Sequence, residues 1–108
     1  MLVISNHDIY IPQGEPGSFD IQYTSEPPAD GTKILFSVKR HDYDQDALIE
    51  KTMEVLDGKI TVEMESEDTD LKPGRYKWDL VEENGYRPIV PAWFIIGSVV
   101  GNKGAVMI

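Results

Sequence analysis

Tight-turn chemistry recurs along this chain at short intervals, which leaves room for strands but not for a long helix. The clusters are Pro12-Gln13-Gly14-Glu15-Pro16-Gly17, Pro27-Pro28-Ala29-Asp30-Gly31, Asp57-Gly58, Lys72-Pro73-Gly74 and Asn84-Gly85. Asp-Gly and Asn-Gly supply the positive φ angles that tight hairpins need. Between the clusters, apolar residues alternate with polar ones at period two, the signature of a strand with one buried face. Ile9 and Ile11 alternate before the first loop, and Phe19, Ile21 and Tyr23 after it. Ile34, Phe36 and Val38 follow. Ile49, Lys51, Met53 and Val55 make a weaker run. Ile60, Val62 and Met64 alternate cleanly with Thr61, Glu63 and Glu65, and Tyr76, Trp78 and Leu80 with Lys77, Asp79 and Val81. The last run extends from Tyr86 to Ile96.

About seven short strands in 108 residues predict an all-β domain, an immunoglobulin-like two-sheet antiparallel sandwich, with a small barrel as the alternative. Residues 1–98 form the domain and 99–108 a C-terminal tail. One helical turn is expected within 66–71, with Ser66 as its cap. Leu71-Lys72-Pro73-Gly74-Arg75-Tyr76 places a Pro-Gly turn directly before a strand opened by Tyr. That is where sandwiches fold a tyrosine hydroxyl back onto the preceding corner; the plainer reading is a turn followed by a core Tyr.

The chain has no cysteine, so disulfides, thiolate nucleophiles and Cys-based metal sites are excluded. This suits a reducing compartment or an assembled particle better than a free secreted module. A net charge of −9 opposes binding to nucleic acid or to anionic membranes. No apolar run is long enough for a membrane-spanning helix. Met1 to Asp8 lack the basic and apolar regions of a secretory signal, and Met1 is expected to be a natural start.

The segment from Ile89 to Ile96 breaks the one-face rule. Both alternating sets are apolar: Val90, Ala92, Phe94 and Ile96 on one, Ile89, Pro91, Trp93 and Ile95 on the other. A second surface is expected to cover the latter set, either the apolar start Leu2-Val3-Ile4 folded back or a neighbouring subunit. Pro91 cannot donate to a ladder, which predicts an edge strand or a bulge. The tail ends on apolar Val106, Met107 and Ile108. It is expected to add a strand to an open edge of a neighbour, or else to fray. The candidate interface is therefore Ile89, Pro91, Trp93, Ile95, Val106, Met107 and Ile108.

Four stretches carry a resemblance. They are Ile9 to Gly14 followed by Gly17 to Ile21, Thr32 to Lys39, Asp57 to Val62, and Glu67 to Leu71 followed by Pro73 to Leu80. Over roughly residues 7–96 the pattern resembles the N-terminal immunoglobulin-like domain of phage upper baseplate proteins and related small virion modules. The resemblance implies a non-enzymatic tail or baseplate subunit of a phage or prophage. Such a subunit is made in the host cytoplasm and located in the virion, with other virion proteins and copies of itself as partners. It brings no catalytic residues. Upper baseplate proteins continue into a further region, whereas this sequence stops at Ile108, so a stand-alone virion subunit is as compatible as a bridging one.

Other chemistry is thinly represented. Asp42-Tyr43-Asp44-Gln45-Asp46 opens like a calcium loop, but an EF-hand needs Gly at the sixth position and Glu at the twelfth. Ala47 and Met53 stand there, so a solvated acidic hairpin is expected and no metal. His7 and His41 each adjoin an aspartate, Asp8 and Asp42, with no nucleophile motif to serve. Glu63, Glu65, Glu67, Asp68 and Asp70 read as a solvated acidic face, or as a surface for a basic partner. No catalytic activity and no cofactor are expected. The alternative function is a carbohydrate-binding sandwich module using Tyr10, Tyr43, Tyr86 and Trp93 as stacking platforms; an enzyme on a β scaffold is the third.

Overall fold

In the computed structural model, which describes residues 2–41, 43–97 and 106–107, the alternating runs become strands. Among the described residues these are β1 (Val3–Ser5), β2 (Asp8–Ile11), β3 (Gly17–Gln22), β4 (Lys33–Lys39), β5 (Ile49–Glu54), β6 (Lys59–Met64), β7 (Gly74–Glu82), β8 (Ala92–Ile96) and β9 (Val106–Met107). A single helical turn, α1 (Ser66–Thr69), joins β6 to β7. The strands form a six-stranded sheet in the order β1-β2-β8-β7-β4-β5 and a three-stranded sheet in the order β6-β3-β9. The chain is an all-β two-sheet sandwich.

Two features differ from a seven-stranded antiparallel sandwich. The additional strands are the terminal ones, β1 and β9. The sheets are mixed, because β2 runs parallel to β8 and β3 runs parallel to β9. Asn6 makes the β1–β2 hairpin possible by accepting a φ of 55° without glycine. Asp57 and Gly58, at φ 53° and 73°, form the β5–β6 turn that Asp-Gly predicts.

The core follows from the alternation. Phe36 on β4 lies 5.4 Å from the Trp78 ring and 6.4 Å from Phe94 within its own sheet. Across the sandwich its ring meets Phe19 at 5.9 Å, edge to face. Ile21, Ile34, Ile60, Val62 and Leu80 complete the buried layer. Trp78 is fully buried, and its indole Nε1 donates to the His7 carbonyl at 2.8 Å.

Polar contacts close the two ends of the sandwich. At the end where β7 begins, the Tyr76 hydroxyl donates to the Lys72 carbonyl four residues earlier, which is the corner expected from the sequence. Beside it, Glu65 rather than Ser66 caps α1, because the Asp68 carboxylate accepts the Glu65 N–H at 2.7 Å. Asp68 also pairs with Lys51 of β5 at 2.7 Å, tying the edge of the wide sheet to the helical turn. Burial alone would raise the Asp68 pKa. The Lys51 ammonium and the Glu65 N–H outweigh it and hold the carboxyl below its ordinary value.

Replacing Tyr76 by Phe keeps the buried ring and removes only the corner bond. The variant is expected to lose about 1 kcal/mol of stability, measured by urea unfolding. An unchanged midpoint would show that the corner contributes nothing.

Candidate interaction surface

The outer face of the wide sheet carries one aromatic patch. Cross-strand registry places Lys77 opposite Trp93, Arg75 opposite Ile95, and Tyr10 opposite Ile95 from the other side. These side chains alternate with the buried Tyr76, Trp78, Phe94 and Ile9, so all point away from the core. Trp93 stays 36% exposed in the middle of a sheet, while Tyr10 and Ile95 are half-buried. The Lys77 ammonium sits 3.9 Å from the Trp93 ring centroid and the Arg75 guanidinium 5.5 Å away. The aromatic surface is thus bordered by two cations, each held to the ring by its quadrupole. Asp8 accepts the Trp93 N–H at 3.1 Å and fixes the start of the strand.

The sequence-predicted interface residues are divided by this geometry. Trp93 and Ile95 share the outer face, and Pro91 is half-buried just before β8. Ile89 is instead buried in the core, and Val90, expected inside, is exposed. The alternation read through 86–96 therefore breaks at Pro91. Residues 83–91 are the β7–β8 connection, and β8 starts only at Ala92. Nor is β8 an edge: it lies between β2 and β7, and Pro91 is outside the ladder. Leu2 to Ile4 do not cover Trp93. Val3 and Ile4 belong to β1, which extends the sheet sideways, with Leu2 and Ile4 in the core and buried Val3 opposite Tyr10. Val106 is also withdrawn from any partner. It pairs with Ile21 of the chain's own β3 and is fully buried, while Met107 beside it is exposed. Ile108 lies outside the described residues, as do 98–105.

A second locus, at the opposite end from the Tyr76 corner, involves residues that sequence reasoning passed over. Tyr23 and Glu82 continue the inward phases of β3 and β7 past their last apolar residues. Their side chains meet there, the Tyr23 hydroxyl donating to Glu82 Oε2 at 2.8 Å. Burial and the Glu82 carboxylate, as hydrogen-bond acceptor and as charge, push the Tyr23 pKa well above the ordinary tyrosine value. The pair forms one wall of an open cleft of about 420 Å³, whose other residues include Ser25, Pro27, Asn84 and Tyr86. The signal was present in the sequence: Glu82 is a carboxylate at an inward position of β7.

The remaining candidates stay apart. His7 Nε2 donates to the Met107 carbonyl at 2.9 Å, a structural tie between the β1–β2 turn and β9. His41 stacks on Tyr43 at 5.1 Å, and its N–H is accepted by Asp44. Asp42 lies outside the described residues. Among the described residues, no group of three or more His, Cys, Asp or Glu side chains is arranged to hold a metal ion. Comparison of the chain with models of protein families, with curated proteins and with solved structures gives no significant match in any of the three.

The raised Tyr23 pKa sets the sign of a pH effect. The bond stabilises the fold while tyrosine is protonated in both states, below about pH 10. Above that pH the unfolded chain ionises first, so the contribution declines as pH rises. Tyr23→Phe is expected to lose roughly 1–3 kcal/mol near neutral pH, and the gap to the wild type should narrow above about pH 10. Parallel stability curves for the two proteins across that range would overturn this account.

Proposed function

We propose that this chain is a non-enzymatic structural subunit of a phage or prophage tail or baseplate, working through protein–protein contact. The observation that carries the reading is the Trp93 surface. A large aromatic side chain stands on the outer face of a central strand, beside Ile95 and Tyr10, with Arg75 and Lys77 at its border. Trp, Tyr and Arg in one patch are the composition of interface hot spots. The resemblance of the turn and core motifs to upper baseplate modules supplies the virion context. The work of such a subunit is geometric: it holds neighbouring parts at fixed positions.

Carbohydrate binding draws less support. Tyr43 lies in the β4–β5 connection and Tyr86 in the β7–β8 connection, at opposite ends of the wide sheet, so the exposed aromatics do not line one sugar track. The cations over Trp93 also compete with a stacking sugar for the ring.

Mass spectrometry of purified particles is the direct test. Peptides of this chain are expected at a fixed ratio to tail components, and Trp93→Glu is expected to give a soluble, folded chain missing from particles. Absence of the wild-type chain from abundant, verified particles would overturn the reading. Normal incorporation of the variant would remove Trp93 from it.

A further inference from the structure

We propose that copies of this chain associate head to tail, the basic Trp93 face of one docking on the acidic ridge of β6 and α1 of the next. The inference rests on the assembly reading and names the partner as a second copy.

The charge of the molecule is unevenly placed. Of its ten Lys and Arg residues, Lys77 and Arg75 lie over the Trp93 ring and Lys39 adjoins Lys77 on the next strand. Lys39 and Lys77 are direct cross-strand partners on the outer face of the wide sheet. Like charges in that relation repel and weaken the pairing of β4 with β7, and among the described residues neither forms an ion pair. Of the carboxylates on this face, Asp79 pairs with Arg87, Asp8 accepts the Trp93 N–H, and Glu50 is exposed on β5 opposite Ser37. Around Trp93 the cations Arg75, Lys77 and Lys39 thus outnumber the carboxylates Asp8 and Glu50, a local positive excess in a chain whose net charge is −9.

The complementary surface lies on the other sheet and its exit. From Ile60 to Leu71 the sequence holds five carboxylates and no Lys or Arg. Glu63, Glu65, Glu67 and Asp70 are exposed along this stretch. Glu63 stands on the outer face of the narrow sheet, opposite Ser18, and the others follow it onto α1. Lys51 reaches the stretch but is committed to Asp68. Lys59 lies at the far end of β6, beside Asp20.

These two surfaces belong to different sheets, so a contact between them is heterologous. Each added copy leaves one basic face and one acidic ridge free, and the series ends only if it closes into a ring. In the contact the carboxylates of one copy relieve the Lys39–Lys77 repulsion of the next, and the area around Trp93 loses water.

Sedimentation of the full chain tests this. Wild type at about 50 mM salt is expected to exceed the dimer mass with rising concentration, and to fall back to monomer near 1 M salt, where screening is short-ranged. Arg75→Glu/Lys77→Glu removes the basic face, and Glu63→Lys/Glu65→Lys/Glu67→Lys removes the ridge. Each variant alone is expected to be monomeric, with the circular dichroism of the wild type. Mixed, the two are expected to form a 1:1 dimer and nothing larger, because each retains one working surface. A monomeric wild type at low salt overturns the proposal without needing either variant. So does a ridge variant that still dimerises with itself, which would mean that two Trp93 faces meet. A chain that is monomeric in solution but present in particles would contradict head-to-tail association while leaving the virion reading intact. Self-association by a chain absent from particles would do the reverse.

Discussion

The hydrogen bond from the Trp78 indole to the His7 carbonyl is the contact on which both ends of the chain depend. Trp78 is buried because β7 needs a large inward side chain against Phe36, and a buried indole N–H without a partner costs about 1–3 kcal/mol. Its acceptor is not in a neighbouring regular strand but in the turn between β1 and β2. The core thus fixes the position of the N-terminal hairpin. His7 then uses its ring in the other direction, donating to the Met107 carbonyl, so the same residue holds the C-terminal strand beside β3. A tryptophan on β7 therefore orders residues 71 positions before it and, through His7, strand β9 after it.

Around that centre the two ends of the sandwich are closed by different chemistry. At one end the Tyr76 corner, the Asp68–Lys51 pair and the Glu65 cap gather β5, α1 and the start of β7 into one polar cluster. At the other, Tyr23 and Glu82 finish the inward rows of two strands that belong to different sheets. Glu82 can occupy a buried position because the tyrosine hydroxyl replaces part of the water it loses. Neither arrangement is an isolated surface ion pair, whose worth would be small; both join elements distant in the chain.

Period-two alternation made most of this fold legible. Tyr76, Trp78 and Leu80 are inside and Lys77 and Asp79 outside, as their spacing requires, and Asp57-Gly58 makes its hairpin. What escaped was non-local. Parallel pairing of β2 with β8 joins segments more than eighty residues apart, and nothing in either segment names the other. Val106 looked like an interface residue because an apolar terminus is unusual, yet β3 had an open edge within the same chain to receive it. The phase error at Ile89 and Val90 has a local cause: Pro91 interrupts the ladder, and alternation carried across a loop loses its meaning. The Trp93 surface was legible in part. Two apolar sets on one strand signalled it, but the cations above the ring appear only when β7 is set beside β8.

Those cations make an exposed tryptophan tolerable before any partner arrives. An exposed cation–π contact contributes only about 0.5–1 kcal/mol, enough to shade the ring but too little to retain it. Trp93 leaves about a third of its surface open. Burying roughly 80 Å² of it would yield about 2 kcal/mol. In the proposed contact the same two side chains, Lys77 and Arg75, would favour an acidic partner over an apolar one. A purely aliphatic patch in the same place would bury as much area with no such discrimination.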